Sequence, residues 1–187
     1  MFKNTNKGFT LVELIVSLGL FIIVITISTG TLLSLSDMSR KVQSTRVAID
    51  NLNLALESMS KEIRVGISYY CNPFPALTAP INFTTSSQIN DCGLGGTSVA
   101  FLAQDGSTTV YRINGAVIER SRDGGSTFSS VTSSEINITR LNFYVIGTGN
   151  ADIRQPRVII VITGTAGVKF KSEFKIQTTV TQRAPDL

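Results

Sequence analysis

Three regimes of hydrophobic patterning follow one another along the chain. In the first, Phe9 to Ser36 is predominantly apolar, and Leu14–Ser36 is 23 residues without a charge. A helix of that length covers about 35 Å, enough to cross a hydrocarbon core of about 30 Å. In the second, Val42, Ile49, Leu52, Leu56, Met59 and Ile63 recur at spacings of 7, 3, 4, 3 and 4. That is the apolar stripe of an amphipathic helix. Arg46/Asp50 and Glu57/Lys61 place opposite charges four residues apart on other faces. No proline occurs before Pro73, and Gly66 is a stop signal. The two regimes predict one helix from Phe9 to Val65, about 85 Å long by rise per residue. The stripe packs either on the chain's own β-domain or on partner stems. Thr26–Thr31 holds mediocre helix formers, so the segment either softens or is held by Ser and Thr bonding back to the helix.

From residue 67 the period changes to two. Val168, Phe170, Phe174, Ile176 and Val180 share one face of a segment from Val168 to Gln182, with Lys169, Lys171, Glu173, Lys175 and Gln177 on the other. This predicts a half-buried antiparallel strand. Arg157–Thr163 is β-branched and apolar, and Gly164–Gly167 reads as the turn of a hairpin. Ile136–Ile146 is a further strand whose apolar phase shifts between Ile138 and Leu141, as at a bulge. Ser98–Ala103, Thr108–Ile113 and Ala116–Arg120 are short strands with turns at Asp105-Gly106 and Asn114-Gly115. Asp123-Gly124-Gly125 marks another turn. The expected fold class is α+β: a long N-terminal helix on a mostly antiparallel sheet of about six strands.

Composition narrows the function. Of the 187 residues, 42% are apolar and 16% charged, and mean hydropathy is +0.21, which excludes a disordered chain. The net charge of +4 is scattered, with no basic block to bind nucleic acid. Histidine is absent, which removes a His-based triad, the usual zinc ligands and a His general base. No convergent acid–base motif replaces them, so an enzyme is not expected, and neither is a cofactor or a resident metal.

The N-terminus holds most of the functional information. A plain single-pass anchor would leave Glu13 at the interface. A secretory signal cut after the apolar run would use Ser28-Thr29-Gly30, but an acid early in the apolar region opposes it. A third arrangement cuts before the run, between Gly8 and Phe9, and makes Glu13 the fifth residue of the mature chain. The segment Lys7-Gly8-Phe9-Thr10-Leu11-Val12-Glu13-Leu14-Ile15-Val16 resembles the class III signal of type IV prepilins and pseudopilins. The resemblance implies cleavage after Gly8 by a prepilin peptidase and N-methylation of Phe9. It also implies a role for Glu13 in assembly, its carboxylate pairing with a subunit's Phe9 amine. Implied partners are the prepilin peptidase, other pilins or pseudopilins through the N-terminal helix, an inner-membrane assembly platform and the lipid bilayer.

The implied organisation is a leader at 1–8, a transmembrane and assembly helix at 9–36, a stem at 37–66 and an extracytoplasmic β-rich domain at 67–187. Flanking charges leave the orientation open: Lys3 and Lys7 face Arg40, Lys41 and Arg46, with Asp37 and Asp50 offsetting the latter. The resemblance places the C-terminal part outside the cytoplasm. In related filaments the helix often unwinds at a proline near Gly30, whose place a glycine takes here. Leu56–Arg64 and Phe174–Val180 are similar to the stem end and last strand of J-type minor pseudopilins of type II secretion.

Cys71 and Cys92 bracket Pro73, Pro75 and Pro80 and are either a disulfide, which needs an oxidising compartment, or two buried thiols. Asn82-Phe83-Thr84 and Asn137-Ile138-Thr139 match a glycosylation acceptor, incidental in a bacterial chain. Asp105 and Asp123 are turn residues first and calcium ligands second.

Overall fold

The computed structural model describes residues 8–72, 90–148, 154–167 and 171–183. The chain divides into two compact units, Met1–Gln43 and Ser44–Leu187. A single helix, α1 (Leu11–Val65), contributes to both.

In the first unit every described side chain from Gly8 to Gln43 is exposed. The helix is long and apolar enough to cross a membrane. Its Thr26–Thr31 segment stays helical. Thr26, Thr29 and Thr31 donate their hydroxyls to the carbonyls of Ile22, Ile25 and Ser28 at 2.7–2.8 Å. Back-bonding satisfies polar groups that an apolar surrounding would otherwise leave bare.

In the second unit α1 buries Ala48, Leu52, Ala55, Leu56, Met59 and Ile63. The stripe therefore packs on the chain's own β-domain. Val42, expected within it, is 56% exposed and lies in the first unit. Two alanines, too small to register as a stripe, take part of the packed face instead. The helix stops where Gly66 meets Phe101, whose ring a Cβ on residue 66 would overlap. The Tyr69 hydroxyl lies 2.7 Å from the Ile63 carbonyl and 2.8 Å from that of Gly66, so its one proton has an acceptor at the helix end, where Gly66 N–H also donates to the Ile63 carbonyl at 3.1 Å.

The strands form two antiparallel sheets, where the sequence led us to expect one. The first has five strands in chain order: β1 (Ile67–Asn72), β2 (Ser98–Leu102), β3 (Thr108–Asn114), β4 (Val117–Ser121) and β5 (Ser129–Ser130). The second has three: β6 (Ile136–Ile146), β7 (Arg157–Ala166) and β8 (Ser172–Thr181). Loops of the first sheet hydrogen-bond to β6: Gly96, before β2, exchanges both backbone bonds with Phe143 at 2.7 Å, and Ile138 donates to Ala116, between β3 and β4, at 2.9 Å. Phe101, Tyr111, Ile118, Leu141, Phe143, Ile160 and Ile162 join the helix face in one core.

The bulge expected in β6 is present as a register shift between Ile138 and Arg140. The turn expected at Gly164 is not, because β7 runs on to Ala166 and Gly164 pairs with both Ile138 and Phe174. A Cβ there would strike the Asn137 carbonyl and come within 2.9 Å of the Phe174 ring. Close approach of neighbouring strands, not a turn, calls for this glycine. Val168, Lys169 and Phe170 of the expected last strand lie outside the described residues, as do the prolines at 73, 75 and 80 and the Asn82 acceptor. Asn137 sits within β6, where the Thr139 hydroxyl donates to the Thr163 carbonyl at 3.0 Å.

Candidate functional site

The processing segment begins as non-helical chain. Gly8, Phe9 and Thr10 precede α1 and are exposed, Phe9 to 80%. Thr10 is the helix N-cap. Its Oγ1 accepts from the Glu13 backbone N–H at 3.3 Å, and its carbonyl accepts from Leu14 N–H at 3.2 Å. Threonine is favoured here because its oxygen replaces a helical acceptor that the first turn lacks. Glu13, three residues on, is the acidic residue of the first turn. Its negative charge faces the positive end of the helix dipole. The Thr-x-x-Glu spacing is that of a capping box, a helix-start signal that the sequence carries alongside the processing motif.

The geometry thus joins Gly8, Phe9 and Glu13 within one short stretch: a non-helical, exposed peptide bond, then a cap, then a carboxylate opening an apolar helix. Within the unit no protein cation is paired with Glu13 among the described residues.

Cys71 and Cys92 lie in the second unit, bonded to each other with their Cα atoms 5.7 Å apart. The Phe143 carbonyl is 3.3 Å from Cys92 Sγ and 3.6 Å from Cys71 Sγ, so the bridge joins β1 and the segment before β2 against β6. Beside it the Asp91 carboxylate accepts from Gly147 N–H, Thr148 N–H and the Thr148 hydroxyl. Burial works to raise the Asp91 pKa, but these three donors together hold it below the ordinary value.

Both aspartates weighed as calcium ligands are committed to turns. Asp105 Oδ1 accepts from the backbone and hydroxyl of Ser107. Asp123 accepts from the hydroxyls of Ser121 and Thr127 and the backbone of Ser126 and Thr127. These donors, the hydroxyls foremost, hold both carboxyls below the usual range. Among the described residues no three His, Cys, Asp or Glu side chains gather as metal ligands do.

A charged cluster escaped the sequence reading. Glu62, on α1, accepts from the Tyr111 hydroxyl at 2.7 Å, and from Arg120 and Arg122 at 2.9 Å each. It ties the helix to β3, to β4 and to the turn that follows. Its partners lie 49 to 60 residues away, so no local spacing announces them.

Comparison with known proteins agrees with the N-terminal geometry. Residues 3–29 match the family model described as the prokaryotic N-terminal methylation motif. The chain carries a type IV pilin-like prepilin signal, followed by an α+β layout of one long helix and antiparallel sheets. No curated protein and no solved structure matches it.

Proposed function

We propose that the chain is a minor pilin or pseudopilin: a structural subunit, not an enzyme, built into a type IV pilus-like or type II secretion filament. It is inserted in the inner membrane as a precursor, with the β-domain outside the cytoplasm. A prepilin peptidase cuts at Gly8–Phe9, Phe9 is methylated, and the apolar helix packs among those of other pilins. The observation that carries this reading is the methylation motif coinciding with an exposed, non-helical Gly8–Phe9 bond at the start of an apolar helix. The disulfide supports an oxidising location for the C-terminal unit.

The test is the mature N-terminus of the protein from its native host, read by mass spectrometry, together with its fractionation. A chain starting at N-methylated Phe9 and sedimenting with filaments is expected. Retention of Met1, or a start near Thr31, would leave a tethered or exported β-domain with a binding role and no filament.

A further inference from the structure

We propose that Thr10 is a positioning residue for the processing cleavage, its side-chain cap holding the Gly8–Phe9 bond outside α1 so that the peptidase meets it free of the helix. The inference rests on the prepilin reading and adds to it a conformational requirement on the substrate.

One N–H decides where the helix begins. Were α1 to extend by one residue at its N-terminus, the Phe9 carbonyl would accept from Glu13 N–H, four residues on. Extension by two would give the Gly8 carbonyl the Val12 N–H. In the structure the Glu13 N–H goes instead to Thr10 Oγ1 at 3.3 Å. The cap therefore competes directly for the donor that the first step of extension needs. The competition matters most in an apolar surrounding, where a chain gains by pairing every backbone group internally. Gly8 adds a poor helix former just upstream, and Gly8, Phe9 and Thr10 are indeed non-helical.

Hydrolysis adds water across the scissile bond, leaving a carboxylate on Gly8 and an amine on Phe9. The attacking oxygen must reach the Gly8 carbonyl carbon. In an exposed segment outside the helix that carbonyl is not tied into a helical hydrogen bond. In a helix the carbonyl is hydrogen-bonded and flanked by the next turn. The threonine thus gives up one or two residues of helix to keep the bond reachable.

The experiment is a cleavage time course on the full-length precursor in membrane vesicles with detergent-solubilised prepilin peptidase, products counted by mass spectrometry. Thr10→Ala is expected to slow cleavage about threefold to tenfold, the usual worth of an N-cap. Thr10→Ser, which keeps an acceptor oxygen, should cut at the wild-type rate. The double variant Thr10→Ala/Leu11→Pro should also recover. Proline at the first helical position disfavours helix in the residue before it without supplying a hydroxyl. Cleavage of Thr10→Ala at the wild-type rate would overturn the proposal. So would a double variant as slow as Thr10→Ala, since the hydroxyl would then be acting on the peptidase itself. A wild-type chain left uncut at Gly8–Phe9 would instead remove the processing reading, and this proposal with it.

Discussion

The Tyr111 hydroxyl donates to Glu62 Oε2 across 2.7 Å, linking β3 to α1 through side chains 49 residues apart. Burial first, then this hydrogen bond and the carboxylate's charge, raise the Tyr111 pKa well above the ordinary phenol value of 10.0. The folded state thus holds the proton more tightly than the unfolded chain does. The resulting stability is complete below pH ~10 and is lost as pH climbs from there toward the folded value, by up to about 1.4 kcal/mol per pH unit. Tyr111→Phe has no proton to lose. Urea unfolding from pH 8 to 11.5 should therefore show the wild type losing ground to Tyr111→Phe only above pH ~10. Parallel curves throughout would refute the coupling.

The bridge between Cys71 and Cys92 spans a sequence separation of 21. Closing a loop of that size removes chain entropy from the unfolded state worth about 3 kcal/mol. Replacing both cysteines by alanine should lower the melting temperature by roughly 10 °C, given the entropy of unfolding expected for a unit of this size. The native protein should show no free thiol by intact mass after alkylation, and two after reduction. A double variant that melts with the wild type would show that the bridge contributes no stability.

What the sequence discloses depends on how local the signal is. The bounds of β6 and its bulge follow from alternation and one phase slip, both properties of a single strand. The two-sheet arrangement does not, because alternation identifies strands without saying which of them pair. β1 hides because Ser68, at φ 58°, interrupts its alternation just where the pairing with β2 shifts register. β5 is two residues long and carries no period. At the N-terminus the motif is entirely local, so Gly8, Phe9 and Glu13 stand out at once. Glu62 resembles any surface glutamate until the fold brings Tyr111, Arg120 and Arg122 to it.

Gly164 separates a strand-interior role from the turn its composition suggests. An alanine there would press on the Asn137 carbonyl and the Phe174 ring. Backbone cannot yield as a flexible side chain can, so Gly164→Ala should destabilise by about 1–3 kcal/mol. Urea denaturation of the wild type and the variant measures it. A variant of unchanged midpoint would place the glycine in a turn after all.

Asp123 organises the turn after β4 through four hydrogen bonds to its carboxylate. Those donors, the Ser121 and Thr127 hydroxyls foremost, hold its pKa below 3.8. A depressed folded pKa gives stability that is present above the ordinary value and fades as pH falls through the folded one. Asp123→Asn should therefore be less stable than the wild type at pH 6, with the difference shrinking below pH ~4. Thermal melts at pH 6, 4 and 2.5 decide it, and a gap that stays constant would assign the effect to geometry alone.

Glu13 opens an apolar helix with no cation paired to its carboxylate among the described residues of its unit. A carboxylate at mid-bilayer costs about 2.5–3.5 kcal/mol on insertion scales, and less near a helix end. An α-amine on Phe9 of a neighbouring subunit would offset that cost at one axial register and not at others. Glu13→Ala removes the charge, keeps the Thr10 hydroxyl and keeps the Gly8–Phe9 bond. The variant is therefore expected to be cut normally and to remain in the membrane fraction, depleted from filaments by tenfold or more. Quantitative immunoblotting of sheared filaments against membranes measures the ratio. Incorporation at the wild-type stoichiometry would mean that the apolar helix seats the subunit without the acid. Loss of cleavage would instead move Glu13 from assembly to recognition by the peptidase.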